Sequence, residues 1–108
     1  MEVELLVIPG CPGAVEASEL LRAALDDLGL AQTPFAVHVI VNDDVASGRR
    51  FAGSPAFIVD GVDLFARAAT SFSMACRVYP TPCGPRNVPA ARDLRAALEE
   101  HRTRGAGA

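Results

Sequence analysis

The stretch Val3-Glu4-Leu5-Leu6-Val7-Ile8-Pro9-Gly10-Cys11-Pro12-Gly13, running on into Ala14–Leu28, decides how the chain is read. Residues 3–8 are a short apolar run rich in β-branched side chains, which reads as a strand buried on at least one face. Pro9-Gly10 ends it. From Ala14 the period changes: Ala17, Leu20, Leu21, Ala24, Leu25 and Leu28 fall on one side of a helix, with Glu16, Glu19, Arg22, Asp26 and Asp27 mostly on the other. Gly29 stands where a left-handed residue closes such a helix. A buried strand thus feeds an amphipathic helix through a Pro-Gly-Cys-Pro-Gly turn.

Working outward, residues 35–41 (Phe-Ala-Val-His-Val-Ile-Val) predict a second strand, with Ile40 pulling an otherwise alternating pattern toward burial. Asn42, Asp43 and Asp44 are cap residues for a short helix through about Arg50, weakened at its end by Gly48. Gly53-Ser54-Pro55 leads into a third strand, Ala56–Val59. Asp60-Gly61 is a tight-turn signal, and Val62–Phe65 is the returning antiparallel strand. Residues 66–89 hold two cysteines and several prolines without a sustained period. A helical turn or two fits Ala66–Ala75, while 79–89 reads as loop, and an irregular connection this long in a small domain is often functional. From Pro89 the period returns: Ala90, Leu94, Ala97, Leu98 and His101 form a stripe opposite Arg92, Arg95, Glu99 and Arg102, with Asn87 as a cap and residues 103–108 as a frayed tail. The order is β-α-β-(short α)-β-β-α. Ala14–Leu28 is long enough to join two parallel strands, and the Asp60-Gly61 hairpin adds an antiparallel pair. The expected fold class is therefore α/β, a sandwich with a central mixed four-stranded sheet flanked by helices.

At 108 residues the chain reads as one domain, 1–108, long enough for one core. Half of it is hydrophobic and only 21% charged, which excludes a disordered or fibrous chain. A net charge of -3, with scattered arginines and no lysine, gives no basic footprint for nucleic acid. No apolar run approaches the roughly 18–20 residues of a membrane span. The acidic start lacks a secretory signal pattern, so a cytoplasmic setting is expected.

Val7-Ile8-Pro9-Gly10 followed by Cys11-Pro12-Gly13-Ala14 opening a helix, and Gly53-Ser54-Pro55-Ala56 before a strand and an Asp-Gly hairpin, resemble the thioredoxin-like fold. The similarity covers about residues 2–65 and 89–101, and lies closest to small bacterial members. It implies that Pro55 follows a cis peptide bond and faces the redox cysteine, here Cys11. It also implies that Pro55 shapes a groove in which Pro12, Gly13 and backbone groups of Ser54 meet a thiol or an extended chain. The chain departs from the family at Ala14, which stands where Cys-x-x-Cys places its second cysteine. A dithiol site needs a resolving thiol near enough to attack the mixed disulfide, and alanine cannot serve.

Cys11 remains a candidate nucleophile, because orphan N–H groups and the dipole at a helix start favour a thiolate over a thiol. Cys76 is a weaker candidate as a distant resolving thiol, if residues 66–89 fold back over the Cys11 turn; the duller reading is a small buried hydrophobe. Cys83, between Pro82 and Gly84, reads as exposed. A Cys76–Cys83 disulfide is conceivable but disfavoured in a reducing compartment. Their spacing does not suit zinc, neither His38 nor His101 looks like a ligand, and no metal or cofactor is expected. Arg49-Arg50 could attract a carboxylate but reads first as a solvated helix end.

Three functions stay open. The first is thiol–disulfide exchange through Cys11, with glutathione or a protein thiol or disulfide as partner. The second is a non-catalytic binding or assembly module that keeps the fold, and the third is soft-metal binding by Cys11 with Cys76 or Cys83. Whether the protein is an enzyme is left undecided. An edge strand could pair with a second copy, giving a homodimer, or could be protected.

Overall fold

The computed structural model describes residues 2–49, 51, 53–65 and 78–106. The elements are β1 (Val3–Val7), α1 (Ala14–Asp27), β2 (Phe35–Val39), α2 (Asp43–Gly48), β3 (Ala56–Val59), β4 (Val62–Asp63) and α3 (Ala91–Ala106). They follow the expected order. The strands form one mixed sheet in the order β2-β1-β3-β4. β1 runs parallel to β2, with Val3 opposite Phe35 and Val7 opposite Val39, and antiparallel to β3, with Val3 opposite Val59. Parallel neighbours need a long crossover, and α1 supplies it.

β1 is central and buried because both of its faces meet a helix layer. Val3, Leu5 and Val7 join Leu21 and Leu25 of α1 and Leu94 and Leu98 of α3 in one core. Leu6, on the opposite face, joins Ile40, Ala46, Phe51, Ala56 and Ile58 in a second, smaller core beneath α2. Leu5, Leu21, Leu25, Phe57, Leu94 and Leu98 are fully buried. Each such side chain contributes about 1.5–3 kcal/mol of transfer free energy. This layering loosely resembles a thioredoxin-like sandwich.

The turns bear out their chemistry. Gly29 takes φ +76°, its N–H reaches the Asp26 carbonyl at 3.1 Å, and the Leu30 N–H reaches the Leu25 carbonyl at 2.8 Å, which closes α1 in a Schellman motif. The Asn42 side chain accepts the Val45 N–H at 2.8 Å and caps α2. Asp60 (φ +52°) and Gly61 (φ +81°) link Val59 to its partner Val62 in the two-residue turn that suits the twist of a hairpin.

Several expectations need correction. β2 is an edge strand, intermediate only at Phe35 and exposed from Ala36 to Val39, with burial resuming at Ile40 just beyond it. β4 stops at Asp63 rather than at residue 65, because the Asp63 carboxylate turns back to accept the Phe65 N–H at 2.8 Å. Asn87 does not cap α3. The helix begins at Ala91 with the Ala90 carbonyl accepting from Asp93 and Leu94 at 3.0 and 3.1 Å. α3 also continues through Arg104 to Ala106, past the point where fraying was expected, supported by an Arg104–Glu100 pair one turn apart. Residues 79–86 are not plain loop. Tyr79 and Arg86 exchange N–H···O bonds of 2.7 and 3.0 Å as an antiparallel bridge. The helical turn expected within 66–75 and the residue Cys76 lie outside the described residues.

Candidate functional site

β1 delivers its last residue, Val7, to the turn that carries Cys11. Gly10 takes φ +70°, and the Cys11 N–H closes back on the Ile8 carbonyl at 3.2 Å. The Cys11 carbonyl accepts the Ala14 N–H at 3.2 Å where α1 begins. The N-cap residue is Gly13, which has no side chain to offer the first-turn N–H groups. Cys11 is half-buried, and with Ala14 it packs against the larger core.

The second half of the site enters from β3. Ser54 is fully buried, and its Oγ accepts the Ile8 N–H at 3.0 Å. Ile8 is thus held on both sides, its carbonyl by Cys11 and its N–H by Ser54, and the cysteine turn is tied to the segment before β3. The Ser54–Pro55 peptide bond is cis, as the resemblance implies for Pro55. Tyr79, 3% exposed, donates its hydroxyl to the Pro55 carbonyl at 2.5 Å. Its ring stands edge-on to Phe65 at 5.2 Å and to Phe57 at 6.3 Å.

The strand of chain after Tyr79 then reaches α1. A side chain at Gly13 would place its Cβ 3.2 Å from Asn87 Cβ and 3.3 Å from Val88 Cγ1, so only glycine allows this approach without displacing them. Arg86 stands 3.8 Å from Glu16 in the first turn of α1. That pair walls two shallow grooves. One, of about 310 Å³, is lined by Pro12, Gly13 and Pro85. The other, of about 330 Å³, is apolar and lined by Leu20, Pro82, Cys83 and Val88. Part of the 66–89 segment does therefore lie against the cysteine turn. Cys83, exposed at the tip of its hairpin, opens on the second groove, whereas Pro12 and Gly13 line the first. Cys11 and Cys83 are both free thiols.

No protein-family model matches the chain, and no curated protein and no solved structure matches it. The site therefore stands on its own geometry.

Elsewhere the charged residues hold the fold together. Glu4 receives His38 Nε2 at 3.1 Å and the Arg49 guanidinium at 2.8 Å on one oxygen, so the carboxylate that Arg49 meets belongs to the chain itself. Asp60 accepts the Glu2 N–H at 2.8 Å and lies 3.0 Å from His101 Nε2. The Glu2 amide, followed by His101, holds the Asp60 carboxyl below its ordinary value of 3.8. Among the described residues no group of three or more His, Cys, Asp or Glu side chains could hold a metal ion. No helix among them is long and apolar enough to cross a membrane.

Sequence reasoning named Cys11, Pro12, Gly13, Ser54 and Pro55 but missed Tyr79, which holds the Pro55 carbonyl. The signal available was a lone tyrosine amid three prolines in a segment otherwise read as loop.

Proposed function

We propose that this protein carries out thiol–disulfide exchange through the single thiol Cys11, as a thioredoxin-like domain without a resolving cysteine at position 14. The observation that supports this reading is the pair of hydrogen bonds from the Cys11 N–H to the Ile8 carbonyl and from the Ile8 N–H to the Ser54 hydroxyl, which gathers the cysteine turn and the Ser54–Pro55 peptide at one end of the sheet. The Cys11 thiolate attacks one sulfur of a disulfide R–S–S–R′, forming Cys11–S–S–R as the S–S bond breaks. R′S⁻ leaves and takes a proton from solvent. An external thiol then attacks the mixed disulfide and frees Cys11, so that R passes from one thiol to another with no net oxidation. Glutathione or a protein thiol fills the external role, and the groove beside Pro12 and Gly13 receives the partner.

The competing reading is a binding module in which Cys11 is a small apolar residue at the edge of the core. The half-buried packing of Cys11 with Ala14 favours it. Exposure separates the two readings, because Cys83 is the more open of the two described thiols. The test incubates the reduced protein with glutathione disulfide and follows mixed-disulfide formation by intact mass and peptide mapping. Exchange at Cys11 ahead of Cys83 supports catalysis, since access alone predicts the reverse. A Cys11 that lags Cys83, or stays unmodified, refutes it.

A further inference from the structure

Residues 79–88 are built as one piece. Tyr79 and Arg86 exchange both backbone bonds, at 2.7 and 3.0 Å, and nearer the tip Thr81 and Gly84 do the same at 3.2 and 2.9 Å. The Thr81 hydroxyl also donates to the Gly84 carbonyl at 2.6 Å. Pro80, Pro82, Cys83, Pro85 and Arg86 face water. All of these bonds lie inside the hairpin, so the piece keeps them when it moves as a unit. Among the described residues its attachments to the rest of the molecule gather at two feet. Tyr79, 3% exposed, is seated in the larger core and donates to the Pro55 carbonyl. Val88, 4% exposed, is seated in the same core. Beside this second foot, Asn87 and Val88 lie against Gly13, where a Cβ would meet them at 3.2 and 3.3 Å. Arg86 adds its 3.8 Å pair with Glu16, but an exposed pair of this kind contributes little. The seating of Tyr79 and Val88 is what holds the hairpin down.

Cys11 is placed to feel that seating. The core that half-buries it contains both Tyr79 and Val88. The two residues after it, Pro12 and Gly13, line a groove of about 310 Å³ together with Pro85, Arg86 and Asn87. A segment held by few buried contacts opens locally, well below the free energy of global unfolding. We propose that residues 79–88 are a strap over the Cys11 turn: seated, it limits access to the thiol, and lifted from its feet it releases the thiol. This rests on the reading of Cys11 as the working thiol and supplies a control on it.

The test compares how fast iodoacetamide alkylates Cys11 in the reduced full chain and in Val88→Ala, with peptide mapping and Cys83 as the exposed reference in the same sample. V88A removes both γ carbons of a buried foot. By transfer free energy this raises the lifted population, and with it the Cys11 rate relative to Cys83, about tenfold. Gly13→Ala is the second variant. Its φ of -94° suits alanine, and the added methyl presses on Asn87 and Val88 from the α1 side, so the same ratio is expected to rise. The control is Ile40→Ala in the smaller core beneath α2, replaced by Ile40→Val should the alanine chain not fold by circular dichroism. It lowers overall stability without touching the strap and is expected to leave the ratio where it was. A ratio unchanged in V88A or in G13A overturns the proposal. So does an equal rise in the Ile40 variant, which would mean that Cys11 is reached only by unfolding of the whole domain. The exchange reading is judged separately with glutathione disulfide: a Cys11 that answers to V88A yet forms no mixed disulfide keeps the strap and removes the exchange.

Discussion

Replacing Tyr79 by phenylalanine removes one oxygen atom and keeps the ring. That oxygen donates to the Pro55 carbonyl at 2.5 Å in a site where Tyr79 is 3% exposed and Pro55 is buried. The edge-on contacts with Phe65 and Phe57 survive the substitution. What is lost is a buried hydrogen bond whose acceptor is left without water, a cost of about 1–3 kcal/mol. Truncation to alanine removes the ring as well and costs about 3–5 kcal/mol. In a domain of this size each kcal/mol lowers Tm by about 4–8 °C. Urea denaturation followed by circular dichroism should show Y79F with a lower midpoint and an unchanged m-value, since the surface exposed on unfolding is nearly the same. A Y79F midpoint matching the wild type, with Y79A strongly shifted, would mean that the 79–86 hairpin docks by its ring alone. The hydroxyl would then play no part in holding the Pro55 segment.

Ser54→Ala leaves the Ile8 N–H without its acceptor and should cost about 1–3 kcal/mol by the same measurement; a change under about 0.5 kcal/mol would refute the coupling of the cysteine turn to β3. Asp60→Asn tests the charge on the hairpin. The folded Asp60 carboxyl titrates below 3.8, so its contribution is complete above the unfolded value and is lost as pH falls through the lower folded one. Stability of the wild type should therefore fall more steeply than that of D60N between about pH 5 and pH 2.5, in denaturant titrations at each pH. Parallel curves would remove Asp60 from the acid response.

Local chemistry made much of the architecture legible. The Asp60-Gly61 pair accepts positive φ at both positions, Gly29 closes α1, and the switch of period at Ala14 separates strand from helix. The place of β2 was not legible, because strand order depends on which neighbours the chain finds and not on the strand's own pattern. Phe-Ala-Val-His-Val reads the same at a centre or at an edge. The Tyr79–Arg86 bridge was hidden for another reason. Pro80, Pro82 and Pro85 lack the N–H that a ladder needs, yet the pairing falls on Tyr79 and Arg86, which both have one. At the site, the resemblance pointed to Cys11 and Pro55. The Ser54 Oγ that joins their segments to Ile8 acts across 46 positions of sequence, and no short motif contains it.

The contact between Phe65 and Tyr79 joins two stretches that lie fourteen positions apart in sequence. Their rings lie 5.2 Å apart, so the chain departs from residue 65 and is returned at residue 79 to nearly the same point of the core. The cost of closing a loop grows only with the logarithm of its length. The aromatic pair therefore acts as a clasp between the end of the β4 hairpin and the Tyr79–Arg86 bridge. Three rings from three separate stretches, Phe57 of β3, Phe65 after β4 and Tyr79 of the bridge, meet edge to edge, so a change at any one of them is felt at the other two.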